Sequence, residues 1–170
     1  EGAGFFLNNE MDDFSSKPGQ QNTYGLIGYS ANSIQPSKRP LSSMTPSLII
    51  DKEGNRMMTI GAAGGSRIIT AVLQTIISVI DHNLDIQEAI DLPRTHSQWL
   101  PDVIRYEAQA LTDKQKEELT KLNHMFDPDG NVESGMYYLA RAHGIYFNNG
   151  KFSTGVDTRG NGDKTDGATY

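Results

Sequence analysis

The chain reads as an α+β fold, and three observations predict it. Its apolar runs with strand character come in hairpin pairs, its helical patterns follow in a group, and no internal repeat runs through it. A doubly wound sheet would instead alternate strand and helix. At 170 residues and 18.7 kDa the chain has the size of one domain, read over 1–170. With 36% hydrophobic and 21% charged residues it has enough apolar side chains for a packed core.

The elements follow in order. Residues 4–8 read as a short strand. Glu10-Met11-Asp12-Asp13-Phe14 then places three carboxylates in four positions, on composition a solvated acidic loop, in its sharper reading a cation-binding edge. Residues 15–40 are rich in Gly, Ser, Asn, Gln and Pro without apolar period. They read as a long lid or Ω-type loop that Tyr24, Leu26, Ile27 and Tyr29 help to anchor. Residues 47–50 and 57–60 predict a hairpin around the turn-forming Asp51-Lys52-Glu53-Gly54-Asn55. The second strand runs through Gly61-Ala62-Ala63-Gly64-Gly65-Ser66 straight into a helix. Ile68, Ile69, Val72, Leu73, Ile76, Ile77 and Ile80 form an i, i+4 double ridge, widened by Ala71 and Val79. That helix is expected to be buried on most sides, with Ser66 as its N-cap. Asp85-Ile86-Gln87-Glu88 and Thr112-Asp113-Lys114-Gln115 have the form of capping boxes and open two shorter helices. Residues 95–100 and 103–107 read as strands about Pro101-Asp102, and Asp127-Pro128-Asp129-Gly130 as a turn. Residues 136–140 and 144–147 read as paired strands, and the tail after Phe152 as fraying.

Composition excludes several classes of function. Fifteen Lys+Arg against 21 Asp+Glu give a net charge of -6, which argues against a nucleic-acid partner. The absence of cysteine removes disulfides, thiolate metal sites and thiol nucleophiles. His82, His96, His124 and His143 are scattered without ligand spacing, so neither a metal nor a cofactor is expected. The longest apolar stretch, residues 68–80, falls short of the about 20 residues of a membrane span. The opening Glu1-Gly2-Ala3-Gly4 has no basic n-region and no initiating Met, and reads as cut from a longer chain.

Individually the candidate sites are modest. Gly64-Gly65 at a strand-to-helix junction suits an oxyanion hole, since helix starts leave amides without partners and glycines let an oxygen approach. A lone Gly-Gly is nonetheless most simply a tight turn. Ser42-Ser43 offers two hydroxyls and by itself reads as structural, and packing is the default for Trp99.

In order and together, these segments acquire a common meaning. Asn8-Asn9-Glu10-Met11-Asp12-Asp13-Phe14, Lys38-Arg39-Pro40-Leu41-Ser42-Ser43-Met44-Thr45-Pro46 and Gly64-Gly65-Ser66-Arg67-Ile68-Ile69-Thr70 resemble the small, C-terminal subunit of the gamma-glutamyltransferase (gamma-glutamyl transpeptidase) family. Pro93-Arg94-Thr95-His96 with Gln98-Trp99-Leu100-Pro101, and the tail from Asp157-Thr158-Arg159, extend the resemblance over essentially the whole chain.

The resemblance implies an N-terminal-nucleophile hydrolase, a four-layer αββα sandwich shared with a large subunit cut from the same precursor. In that family a threonine freed by the cut attacks the γ-carbonyl of glutathione or another γ-glutamyl compound. Water or an acceptor amino acid resolves the acyl-enzyme. Glu10 and Asp13 resemble the binders of the substrate ammonium, Ser42 and Ser43 those of its α-carboxylate, and the amides of Gly64 and Gly65 the oxyanion hole. Residues 18–28 with Tyr24 resemble the lid over the γ-glutamyl pocket. Glu10 stands where many members have Gln, and Ala63 where a proline is often found. The family's threonine lies upstream of the acidic motif and has no match here. Thr23, Thr45, Thr59, Thr70 and Thr75 are internal and offer no free α-amine, so the chain alone is expected to be inactive. The family's export implies a periplasmic or extracellular site. A cephalosporin acylase-like amidase of the same fold and a non-catalytic amino-acid-binding module are the competing readings. Asp13 favours the first reading, because a primary ammonium on the substrate gives it a counter-charge.

Overall fold

The computed structural model describes residues 4, 7–22, 25–131, 139–148 and 150–159, with the backbone only for 128–131. The chain divides into two compact units, Glu1–Ser42 and Ser43–Tyr170.

The first unit is built on turns. A 3-10 helix, Glu10–Asp13, and a second, Ser30–Asn32, are its only helical pieces among the described residues. The parallel bridge Ser15–Ser33 and the antiparallel bridge Gln21–Ile27 close the loop on itself. The described residues of the long segment 15–40 therefore form an ordered loop. The strand expected over 4–8 lies mostly outside the described residues, and Leu7 and Asn8 are irregular.

The second unit carries the core. Strands β1 (Ser47–Ile50), β2 (Arg56–Ala63), β6 (Arg141–Asn148) and β7 (Lys151–Val156) form an antiparallel sheet in the order β1-β2-β6-β7. Asp51 shapes the β1–β2 turn by accepting the Asn55 N–H at 2.8 Å. Helices α1 (Arg67–Ile80) and α2 (Ile86–Asp91) cover one face. Met58, Ile60, Ile68, Val72, Val79, Ile86, Ala89, Ile90 and Ala142 are the buried cluster between these layers. Helix α2 lies close against the sheet because Gly155 has no side chain: a Cβ there would sit 2.6 Å from Ile90 Cδ1. A second sheet holds β3 (Thr95–Gln98), antiparallel to β4 (Val103–Tyr106), with β5 (Phe126–Asn131) parallel to β4. Both capping boxes form, at Asp85 for α2 and at Thr112 for α3 (Asp113–Lys121).

The α+β class is as expected, and five local expectations are corrected. Helix α1 is not buried on most sides. Ile68, Val72 and Val79 are inside, whereas Ile69, Leu73, Ile77 and Ile80 of the second ridge are exposed. Ser66 is helical in backbone and makes no side-chain cap, its hydroxyl being engaged elsewhere. Residues 127–130 belong to strand β5, whose place at the edge of its sheet tolerates Pro128. Trp99 is 85% exposed rather than packed. Residues 153–159 do not fray: they complete β7 and bury Asp157, while the rest of the tail, 160–170, lies outside the described residues. Of the strand expected at 136–140, residues 136–138 lie outside the described residues. Residues 144–147 pair with β7, as a turn-linked hairpin across Gly150.

Candidate active site

In the first unit, the sequence Glu-Met-Asp-Asp winds as a single 3-10 turn. Residues three apart eclipse one another in that helix, so Glu10 and Asp13 lie on the same side. Their carboxyls are hydrogen-bonded. Burial raises the Asp13 carboxyl above the ordinary carboxylate value, and the charges of Glu10 and Asp12, with the bond to Glu10, push it the same way. Two carboxylates held together in this manner both ionise readily only when a cation joins them.

Two asparagines fix this helix. Asn22 Nδ2 donates to the Asp12 carbonyl at 3.1 Å, and Asn32 Nδ2 donates to the Asp13 carbonyl at 2.7 Å. Asn32 Oδ1 accepts the Leu41 N–H at 2.9 Å, which ties the residue preceding Ser42 to the acidic turn. Ser42 is exposed. Ser43, its neighbour in the chain, opens the second unit, is partly buried, and its carbonyl accepts the Thr45 hydroxyl at 3.0 Å. The structure thus links the Glu10–Asp13 pair to the Ser42 segment. Tyr24 lies outside the described residues.

In the second unit, Gly64 and Gly65 form the turn from β2 into α1, with φ of 144° and 60°. The Gly64 carbonyl accepts from Arg67 N–H and the Gly65 carbonyl from Ile68 N–H, closing the first helical turn. Amides at such a start have no intrahelical acceptor and carry partial positive charge. Gly64 is sterically required: a Cβ would lie 2.7 Å from Ala140 Cα.

Strand β3 and Arg94, the residue before it, brace this turn from two directions. Gln98 Nε2 donates to the Leu100 carbonyl at 3.1 Å, which turns Gln98 Oε1 toward Ser66. That oxygen accepts the Ser66 hydroxyl at 2.9 Å and meets His96 Nε2 at 2.8 Å. His96 therefore carries its proton on Nε2, and its Nδ1 accepts from the Thr70 hydroxyl at 2.9 Å. Burial lowers the His96 value, and the Arg67 and Arg105 charges act in the same sense against the bond to Gln98. Further along, Gln74 on α1 brackets Thr95, its Oε1 accepting the Thr95 N–H at 3.1 Å and its Nε2 donating to the Thr95 carbonyl at 2.8 Å. Ser66, Thr70 and Gln74 thus form an i, i+4, i+8 polar stripe on α1 that receives β3.

From the other direction comes a buried charge cluster. Arg94 donates to the carbonyls of Leu139 at 3.2 Å, Ala140 at 3.0 Å and Ile90 at 2.8 Å, and pairs with Asp157 at 2.8 Å. Asp157 also accepts the Ala142 N–H at 2.8 Å. Arg159 reaches both oxygens of Glu107, at 2.8 and 2.9 Å. Two cations and two anions thereby compensate one another around Ala140, the residue against which Gly64 rests. Desolvation would raise the Asp157 carboxyl. The Arg94 guanidinium, the amides of Ala142 and Arg159 and the Arg159 charge together hold it below its ordinary value.

The sequence offered the glycines, the acidic pair and the serines as candidates, and left Asn22, Asn32, Gln98 and the Arg94–Asp157 pair without roles. For the last two a signal existed in the order Pro93-Arg94-Thr95-His96-Ser97-Gln98, singled out only as a resemblance. Among the described residues no group of three His, Asp or Glu side chains suits a metal ion, and no helix is long and apolar enough to cross a membrane.

Comparison with known proteins bears on the whole arrangement. The glutathione hydrolase proenzyme of Escherichia coli is 53% identical over 105 residues, covering 62% of this chain and 18% of that protein. The glutathione hydrolase proenzyme of Pseudomonas aeruginosa is 40% identical over 164 residues, covering 95% of this chain and 28% of that protein. The chain thus spans less than a third of the length of these two curated relatives. A crystallised gamma-glutamyltranspeptidase of Pseudomonas nitroreducens, complexed with L-DON, superposes with a TM-score of 0.79 at 39% identity, over 99% of this chain and 84% of that one. The fold is accordingly that of the N-terminal-nucleophile hydrolases. The family described as gamma-glutamyltranspeptidase matches residues 1–166, and the chain belongs to it.

Proposed function

We propose that this chain supplies the substrate-binding and oxyanion portion of a gamma-glutamyltransferase, which cleaves the γ-glutamyl amide of glutathione and related compounds. The observation that carries the reading is the Glu10–Asp13 turn, whose Asp13 main-chain carbonyl is bound through Asn32 to the segment that enters Ser42. A γ-glutamyl group bears an ammonium and a carboxylate on one carbon; the acidic turn offers an anionic receptor for the first, and the serine hydroxyls are donors suited to the second.

The reaction follows from those roles. Glu10 and Asp13 hold the ammonium, and Ser42 and Ser43 hold the α-carboxylate, which directs the γ-carbonyl away from both. An N-terminal threonine of the processed precursor adds its hydroxyl oxygen to that carbonyl, its own α-amine taking the proton. The Gly64 and Gly65 amides stabilise the resulting oxyanion. Collapse breaks the C–N bond and releases the protonated amine, leaving a γ-glutamyl ester that water or an acceptor amine then opens. The threonine and the large subunit lie outside these 170 residues. The uncovered apolar faces of the second unit are consistent with a large-subunit partner, and an exported, periplasmic or extracellular enzyme is the setting this chemistry suits.

The test uses the whole protein. Wild type releases product from a chromogenic γ-glutamyl anilide, and the 170-residue chain alone releases none. Asp13→Ala weakens substrate binding by about 2–5 kcal/mol, the range for removing one partner of a desolvated charge pair. Unchanged kinetics in that variant would take Asp13 out of the site and favour the acylase reading.

A further inference from the structure

Asn22 and Asn32 stand ten residues apart in the loop, neither with an assigned part of its own in recognition, yet they make matching contacts. Each donates from Nδ2 to a carbonyl of the acidic turn, Asn22 to Asp12 and Asn32 to Asp13. Each also accepts, at Oδ1, an amide of a different segment: Leu26 N–H at 2.9 Å for Asn22 and Leu41 N–H at 2.9 Å for Asn32. The backbone of Asn32 is engaged as well, its carbonyl accepting the Ser15 N–H at 2.9 Å and its N–H donating to Tyr29 at 3.0 Å. Asn22 closes its own turn, its N–H donating to the Leu26 carbonyl at 2.9 Å and its carbonyl accepting the Gly25 N–H at 2.9 Å.

We propose that Asn22 and Asn32 are positioning residues for γ-glutamyl recognition, with Asn32 setting the distance between the Glu10–Asp13 carboxyls and the Ser42 segment. The inference rests on the reading of those carboxyls as the ammonium site. The physical ground is the geometry of the amide. A primary carboxamide is a rigid plane with a donor and an acceptor about 2.3 Å apart. One side chain that donates to Asp13 and accepts from Leu41 therefore fixes both strands of the loop to a single spacing. The acidic turn has no such restraint of its own. A 3-10 turn of four residues has few internal bonds, and Glu10 and Asp13 repel when both are ionised. An ammonium and a carboxylate on one carbon are a substrate of fixed span, so a receptor that drifts loses one contact whenever it makes the other.

The two roles of the carboxamide can be separated. Asn32→Asp keeps an acceptor for Leu41 N–H but replaces the donor to Asp13 with a carboxylate oxygen facing a carbonyl. Asn22→Asp does the same at Asp12. In the whole enzyme, each variant is expected to raise KM for a γ-glutamyl anilide about tenfold or more while kcat stays within about threefold, because an error in ground-state positioning enters KM. The inhibition constant of L-glutamate, which has the same ammonium and carboxylate and no scissile bond, is expected to rise in parallel. A purely structural role would lower the melting temperature and the yield and leave KM and the glutamate constant at their wild-type values; that result overturns the proposal. Should Asn32→Asp fail to fold, Asn22→Asp decides by the same readouts. Asp13→Ala serves as the reference. If it too leaves KM unchanged, the ammonium reading has failed; if it raises KM while both asparagine variants do not, the positioning inference alone has failed.

Discussion

Asp13 has a carboxyl raised by burial and by its neighbours Glu10 and Asp12, and on the proposed reading of Asp13 as an ammonium binder this sets the acid limit of recognition. Only the ionised form attracts an ammonium. As pH falls through the raised value Asp13 takes a proton and the attraction is lost, so binding is complete above that value and absent below it. The acid limb of kcat/KM for the whole enzyme is therefore expected above the ordinary aspartate value of about 3.9. Glu10→Gln removes a neighbouring charge and moves the limb to lower pH. A pH profile of the two proteins checks this, and coincident limbs would mean that Glu10 does not act on Asp13. The acidic cluster was readable from composition, because three carboxylates in four residues need either solvent or a cation. Asn22 and Asn32 were not, because asparagine is an ordinary loop residue and only the fold shows which carbonyl an amide meets.

Among the elements, β3 joins the two networks around Gly64. Arg94, the residue just before it, holds the Ala140 carbonyl and the strand's Gln98 end holds Ser66, so the five residues 94–98 brace a two-glycine turn. The side chains of Arg94 and Asp157 are 2% and 0% exposed, so removing one charge strands the other away from water. Asp157→Asn is expected to cost about 3–5 kcal/mol, read as a lower melting temperature of the whole protein. The pH dependence has two parts of the same sign. His96 is held below its ordinary value, so as pH falls the unfolded chain takes up that proton first, and stability declines from about pH 6.5 downward. Asp157 is also held low. Its contribution is intact above the ordinary aspartate value and is lost as pH falls through the depressed folded one. Acid titration of stability should thus show an early and a late loss, and Asp157→Asn should diminish the late one, to which Asp51, also held low by its bonds to Asn55, contributes as well.

At the scale of the molecule, the second unit has a covered and an uncovered side. Helices α1 and α2 cover one face of the four-stranded sheet, while Leu48, Ile145 and Phe152 project from the other, and Ile69, Leu73, Ile77 and Ile80 form an exposed stripe on α1. Strands β1 and β7 are sheet edges among the described residues. Exposed edges and apolar patches drive association. The 170-residue chain expressed alone is expected to self-associate, which light scattering would detect. A monodisperse monomer with a cooperative thermal transition would mark it as a self-sufficient domain and favour the binding-module reading.

The local chemistry of the chain was set by residue order alone. Both capping boxes, the β1–β2 turn, the Gly-Gly entry into α1 and the pairing of β3 with β4 depend on contacts within a few residues, so their signals sit side by side in the sequence. The double ridge of α1 was equally legible, but not which ridge would be inside. That choice depends on the sheet that packs against the helix, and periodicity carries no information about the partner. The same reason explains the tail. Asp157 and Arg159 look like members of a solvated Gly- and Asp-rich segment until Arg94, Glu107 and the Ala142 amide arrive from distant positions to bury and compensate them. Ser66 looks like an N-cap until Gln98, 32 residues later, takes its hydroxyl. Residue types determined what each side chain was able to bond, and only the tertiary structure decided which of those bonds was made, because burial is a property of the assembled layers and not of any one segment.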